Sequence, residues 1–302
     1  VTIAITGATG FVGQAVLEQA AAQGLTIRAL ARTPQPPRAG VEWVEGDLDD
    51  TVALARLVER AEAVIHIAGV VNAPDAAGFA AGNVVGTLNV VTAAMVAGTP
   101  RFVHVSSLSA REPHLSQYGA SKLKGERIAM ASTLDWTVVR PPAVYGPRDR
   151  EMLELFRFAK TGIVPLPPHG RMAAIHVDDL ARLLVALVPG GDEVSHKLFE
   201  PDDGRTGGWS HKSFAKAIGW AVGKRITPLP LPAFALRAAA RGDRLLRRAA
   251  AKLTDDRVGY MCHPDWTVRA ELRPPAARWV PEIGTRDGLK ATAKWYREAG
   301  WL

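Results

Sequence analysis

Residues 118–122 read YGASK, which sets a phenol and an amine four positions apart. On a helix that spacing puts both side chains on one face, about 5–6 Å between their Cβ atoms. An ammonium beside a phenol favours the phenolate and lowers its pKa, giving a group that can donate and accept a proton near neutrality. The same spacing occurs by chance on exposed helices, so the surroundings must decide whether Tyr118 and Lys122 do chemistry. Other reactive side chains are less suggestive. His176 with Asp178 and Asp179 lacks a second ligand pair at metal-binding spacing, and the acids read as helix N-caps. His66 and His104 lie within apolar strands and read as satisfied core or near-cleft histidines rather than ligands. Cys262, the single cysteine, has no disulfide partner and no activating basic neighbour, so it is not expected to act as a nucleophile.

The surroundings include a second motif. TGATGFVG (6–13) stands between an apolar β-branched run, VTIAIT, and a helical stretch, VGQAVLEQAAAQG. Gly7 permits a tight turn, Gly10 lets a pyrophosphate approach the backbone, and Gly13 allows close helix–strand packing. The phosphates would rest on helix N-terminal amides around Thr9, Phe11 and Val12. This is a dinucleotide fingerprint in its proper context. The second strand ends ALAR, with Ala31 and Arg32 where an NAD site carries an acid for the ribose hydroxyl. A guanidinium suits a 2′-phosphate, so NADP is expected over NAD, with Arg32 as its contact and Arg28 as a weaker candidate.

These residues need elements to hold them. Apolar strands are expected at 1–6, 25–31, 41–48, 63–69, 101–107 and 136–141. Helices are expected at 50–61, 83–98 and 118–132 as well as after the glycine turn. Strands this apolar, alternating with helices, call for a parallel sheet covered on both faces, hence a doubly wound α/β fold. Its ligands are expected at the carboxyl ends of the strands.

With TGATGFVG, GDL, HIAG, SS and YGASK in this order, the chain resembles the extended short-chain dehydrogenase/reductases. It is similar to their NAD(P)-dependent epimerase/dehydratase and 3β-hydroxysteroid dehydrogenase-like members. The resemblance continues through NVVGTLNVV, RPPAVYGPRD, IHVDDLARLL and GLKATAKWYREAGWL. It implies a Rossmann domain formed by 1–145 and about 171–200. A smaller, mostly helical substrate lobe would comprise about 146–170 and 201–302. It further implies that Asp47 and Leu48 flank adenine, that Ala68 and Gly69 line the ribose–pyrophosphate path, and that Asn83 supports the site. Pro142 to Val144 would face the nicotinamide carboxamide. Tyr118 would be the acid/base, Lys122 would hold the nicotinamide ribose, and Ser107 would bond the substrate oxygen. Eleven positions separate Ser107 from Tyr118, fewer than in many sugar-nucleotide members, which leaves Ser106 and Ser109 as alternatives to Ser107. Strand alternation sends Ser106 and Ser107 to opposite faces.

The expected activity is hydride transfer between NADP and a carbonyl or secondary alcohol. The alternatives are a nucleotide-sugar epimerase or dehydratase and a non-catalytic nucleotide-bound subunit, although the latter class frequently loses the Tyr or Lys. The resemblance also commonly brings a homodimer. A net charge of +7 comes from scattered arginines without nucleic-acid-binding signatures, so no nucleic-acid partner is expected. No uninterrupted apolar run reaches a membrane span, and the N-terminal residues read as a strand rather than a signal peptide, so a cytoplasmic protein is expected. The segment 228–253 is unusual: a proline-rich apolar lead, then Arg237, Arg241, Arg244, Arg247, Arg248 and Lys252. It reads as a solvated helix, a substrate lid, or a peripheral membrane contact through 234–252. The apolar lead hints at a lipid-like substrate.

Overall fold

The computed structural model describes residues 1–247, 251 and 253–302. Arg248 and Lys252 lie outside the described residues. The chain divides into two compact units. The first comprises Val1–Pro141, Leu180–Pro201 and Glu271–Val280, and the second Pro142–Asp179, Asp202–Ala270 and Pro281–Leu302.

In the first unit, β1 (Thr2–Thr6), α1 (Phe11–Ala22), β2 (Thr26–Ala31), β3 (Val41–Glu45), α2 (Thr51–Val58) and β4 (Ala63–His66) follow the expected alternation. Then come α3 (Ala76–Ala80), a π-helical turn (Ala81–Val85), α4 (Gly86–Val96), β5 (Arg101–Val105), α5 (Gln117–Met130) and β6 (Asp135–Val139). Further elements follow in chain order: β7 (Ala143–Tyr145), α6 (Leu153–Thr161), β8 (Ile163–Leu166), β9 (Arg171–Met172), β10 (Ala174–His176) and α7 (Val177–Ala186). The remainder are β11 (Lys197–Phe199), β12 (Trp209–Ser210), α8 (His211–Val222), β13 (Thr227–Pro230), α9 (Ala233–Arg247), α10 (Asp255–Met261), β14 (Asp265–Trp266) and α11 (Thr285–Glu298).

Seven strands form one sheet in the order β11-β6-β5-β4-β1-β2-β3, every pair parallel. The order reverses direction between β1 and β4, the switch point at which doubly wound sheets bind ligands. β11 is only three residues long, too short for periodicity to reveal. The sheet is apolar because helices cover it. Val64, Phe102, Leu54, Leu57, Val90 and Ala94 share one cluster, all but free of solvent. Side chains close the first turns of two covering helices: Asp50 accepts from Val52 and Ala53, and Ser116 from Gly119. Each such cap contributes about 1 kcal/mol.

The helix expected at 83–98 begins earlier, at Ala76. Asp75 caps it by accepting from the Gly78 amide, and Gly78, Gly82, Asn83, Gly86 and Thr87 interrupt the apolar pattern without breaking the helix. The continuous run Ala76–Val96 is therefore long and apolar enough to cross a membrane by length and composition, contrary to the sequence-based expectation. Val90, Val91 and Ala94 within it belong to the sheet's core.

The second unit packs around Tyr145, Phe156, Phe214, Leu289 and Tyr296, all buried. Trp209 and Trp295 pack within that cluster or against it, Trp220 is 48% exposed, and Trp279 belongs to the first unit. Asp178 and Asp179 lie in the first turn of α7; Asp179 also accepts the backbone N–H groups of Glu282 (3.1 Å) and Ile283 (3.0 Å). No group of metal-ligating side chains occurs among the described residues. Burial pushes the Cys262 thiol pKa up, consistent with an unreactive cysteine.

Candidate functional site

The glycine-rich turn connects β1 to α1 at the switch point. Gly7 adopts φ +74°, and a Cβ there would stand 2.7 Å from the Ala68 amide nitrogen. A Cβ on Gly13 would lie 2.1 Å from the Gly7 carbonyl oxygen, so α1 packs on the turn at a distance only glycine allows. Gly10 is the N-cap of α1 and supplies no side-chain cap, whereas α2 and α5 are capped by Asp50 and Ser116. The amides of α1's first turn, which includes Phe11 and Val12, therefore remain available to an anion, and Thr9 and Gly10 are exposed beside them. A glycine-lined cradle with an open helix terminus fits a dinucleotide pyrophosphate.

Arg32 is exposed at the end of β2. Arg28 is committed elsewhere: its Nε donates to Glu42 (3.0 Å) and its Nη1 to the Arg56 and Glu59 carbonyls at the end of α2 (3.0 and 2.6 Å). Arg28 is thus a structural tie between strand and helix, which corrects its candidacy as a phosphate ligand. Arg38, which the motifs did not single out, reaches Gln14 on α1 at 3.0 Å. Asp47 turns the chain into α2, its Oδ1 accepting from the Asp49 and Asp50 amides. Leu48 packs against Gly86, where a Cβ would lie 2.6 Å from Leu48 Cδ1. Ala68 donates its amide to Thr6 Oγ1 at 3.2 Å.

The tyrosine–lysine pair occupies the first two turns of α5. Lys122 is buried, and its Nζ donates to the Val105 carbonyl at 2.8 Å. A Cβ on Gly69 would stand 3.6 Å from that Nζ, so the lysine lies directly under the loop that follows β4. Burial lowers the Lys122 pKa from 10.5 to about 8, with Glu126 opposing the shift. Tyr118 is half-buried, its ring 6.1 Å from that of Phe79 on α3. Asn83 links these parts. Its Oδ1 accepts from the Val70 amide (2.7 Å), while Nδ2 donates to the Val70 carbonyl (2.8 Å) and to Ser121 Oγ (2.9 Å). It sits in the π-helical turn, a local widening often found at functional sites.

Hydrogen bonding separates the serines. Ser106 Oγ donates to Glu126 Oε1 at 2.5 Å and is buried. Ser107 lies on the other face, accepting from the Ser109 amide (3.2 Å) and from Ser109 Oγ (2.9 Å) at the start of a short 3-10 turn. A Cβ on Gly119 would come within 2.6 Å of the Ser109 carbonyl, so this turn abuts the residue after Tyr118.

Beneath the pair is a buried ionic network that the motifs did not reveal. Arg140 donates to both oxygens of Glu126 (2.8 and 2.7 Å) and lies 3.6 Å from Glu200, which is also 3.6 Å from Arg111. Glu126 and Glu200 are wholly buried. A glutamate four residues after Lys122 was the available signal; its partners come from distant segments. His66 and His104, opposite one another on β4 and β5, stack at 5.3 Å. His66 bonds Thr6 (2.7 Å) and Thr87 (3.0 Å), whereas neither ring nitrogen of buried His104 has a hydrogen-bond partner. Desolvation first, then the Lys122 charge, lowers the His66 pKa to about 3 and that of His104 well below 6.5. Both rings are neutral at neutral pH. Pro142 and Val144 belong to the second unit, where Val144 in β7 pairs with Ile175 in β10.

Comparison with known proteins gives this arrangement its family. The profile of the NAD dependent epimerase/dehydratase family matches residues 3–197, and the chain belongs to that family. Family members and structural neighbours are NAD(P)-dependent reductases and epimerases. A ceramide reductase of Caulobacter vibrioides is 39% identical over 99% of this chain and 96% of its own length. A 2-alkyl-3-oxoalkanoate reductase of Stenotrophomonas maltophilia is 26% identical over 93% of this chain and 88% of its own. Among solved structures, the Bordetella bronchiseptica enzyme WbmH in complex with NAD+ superposes with a TM-score of 0.76 at 21% identity, covering 99% of each chain.

Proposed function

We propose that this chain is an NADP-dependent oxidoreductase that interconverts a carbonyl and a secondary alcohol on a lipid-like substrate. The observation that carries the reading is Lys122, buried beneath Gly69 with a lowered pKa and one helical turn after Tyr118. A buried ammonium one helical turn from a phenol can hold a ribose and favour the phenolate. When bound, the nicotinamide cofactor supplies or accepts the hydride at the substrate carbon. In the reducing direction the Tyr118 hydroxyl donates its proton to the carbonyl oxygen, and the Lys122 ammonium stabilises the phenolate left behind. Ser107 Oγ donates a hydrogen bond to the same oxygen as its charge grows. The oxidising direction reverses each transfer.

The absence of an acid at the end of β2, together with the exposed Arg32, supports NADP over NAD. The substrate class is supported by the names of the two reductase relatives, each of which specifies an acyl-chain-bearing molecule. The aromatic wall that Phe79 gives Tyr118 agrees with it. The test is Tyr118→Phe, assayed with a long-chain ketone and NADPH and by nucleotide titration. Turnover should fall by about 10²–10⁴ with nucleotide affinity unchanged. Retained turnover would remove Tyr118 as the acid/base.

A further inference from the structure

We infer that α9 is a docking surface for an anionic lipid bilayer. One face of α9 is used inside the second unit: Leu236 and Ala240 are buried against Val258 of α10, with Leu231, Leu253 and Cys262 around them. Asp243 anchors the same side by accepting the Leu253 amide at 3.0 Å. The rest of the helix faces solvent and is not wholly polar. Phe234 is 76% exposed, Leu245 82% and Leu246 87%.

At about 100° per residue, Phe234, Ala238 and Leu245 fall within one narrow stripe, and Leu246 widens it on one side. Arg237, Arg241 and Arg244 line its other border, all exposed. Arg247 is exposed as well and pairs with Asp243 at 3.2 Å. Four arginines against one aspartate leave the described helix strongly cationic, on a chain already carrying +7.

An apolar stripe bordered by cations needs hydrocarbon and anions presented together along a flat surface. A bilayer of anionic phospholipid supplies both: acyl chains for Phe234, Leu245 and Leu246, and headgroup phosphates for the arginines. An antiparallel contact with a second copy of this chain fits poorly, because it would bring the two arginine rows to the same edge. The docking goes beyond the oxidoreductase reading. It would let such an enzyme collect a membrane-resident substrate, but its test does not depend on that reading.

The test uses the full chain and vesicles of phosphatidylcholine with or without 40% phosphatidylglycerol, read by flotation at low and high salt. Binding is expected only to the phosphatidylglycerol vesicles, and to be lost at high salt. Replacing Arg237, Arg241 and Arg244 together by Gln should weaken it about a hundredfold, and Leu245→Asn with Leu246→Asn about tenfold. Both variants alter exposed side chains, so circular dichroism and melting should match the parent, as should turnover of a water-soluble short-chain ketone. Absence of binding, equal binding to neutral vesicles, or unimpaired binding by both variants would overturn the inference. So would a fall in sedimentation mass on replacing the leucines, which would assign the stripe to a second copy of the chain.

Discussion

Lys122 carries a measurable signature apart from catalysis. Its pKa in the folded chain is about 8 against 10.5 for an unperturbed lysine. Between those values the unfolded chain binds the extra proton, so stability rises with pH across the window. Burying the ammonium below pH 8 costs on the order of 3 kcal/mol. Denaturant unfolding at pH 7.5 and 9.5 should show that rise, and Lys122→Met should remove it while abolishing turnover. Arg32 is argued at the same scale. Arg32→Ala should weaken NADP binding about tenfold to a hundredfold and leave NAD binding nearly unchanged, as isothermal titration would register. An equal loss for both nucleotides would place Arg32 away from the 2′-phosphate. Tyr118, Lys122 and the glycines were legible because their spacing is local to one turn or one helix face. Ser106 and Ser107 were not separable: alternation assigns them to opposite faces without saying which face meets Glu126.

At the scale of elements, β5, α5 and β6 are clamped by the Ser106–Glu126–Arg140–Glu200–Arg111 chain of contacts. The clamp joins the end of the serine strand to the helix bearing Tyr118 and Lys122. Glu126→Gln removes the charge that faces Arg140 and should cost about 3 kcal/mol in unfolding free energy. Because the helix that positions the phenol loses its tie, kcat should fall while nucleotide affinity holds. A variant with lowered stability and full kcat would make the clamp merely structural. The partnerships themselves were not readable beforehand, since buried ion pairs between residues 14, 60 and 89 positions apart leave no periodic trace. The six long strands were readable because parallel strands are apolar throughout. β11, the start of the Asn83 helix and Arg28's role were not. Each depends on neighbours: β11 on pairing with β6, the helix start on the Asp75 cap, Arg28 on carbonyls of α2.

Across the whole molecule, acid weakens the first unit, whereas in the second unit Asp149 acts against His176 and His211, whose pKa values burial lowers. His66 and His104 in the first unit are held neutral, so the unfolded chain binds more protons below about pH 6.5 and that unit weakens as pH falls. The His66 imidazole withdraws about 2 kcal/mol between pH 7 and pH 5, and His104 acts in the same direction. Asp149 in the second unit has its pKa raised from 3.8 to about 7 by burial, so between those values the folded chain holds a proton that the unfolded chain has released. Stability from Asp149 is therefore present in acid and lost as pH rises through 7. Hydrogen exchange corrected for intrinsic rates should show β1, β4 and β5 losing protection at pH 5 relative to pH 7, while α6, which follows Asp149, loses less. Uniform loss in both units would contradict these assignments. The π turn at Ala81–Val85 has a different kind of consequence. It is one residue more than a regular helix needs, inserted where Asn83 must reach Val70 and Ser121. Deleting one residue there would keep Val90, Val91 and Ala94 against the sheet and turn Asn83 and the upstream Phe79 away from their partners. The chemistry of this helix is thus separable from its architecture, and evolution can discard one without dismantling the other.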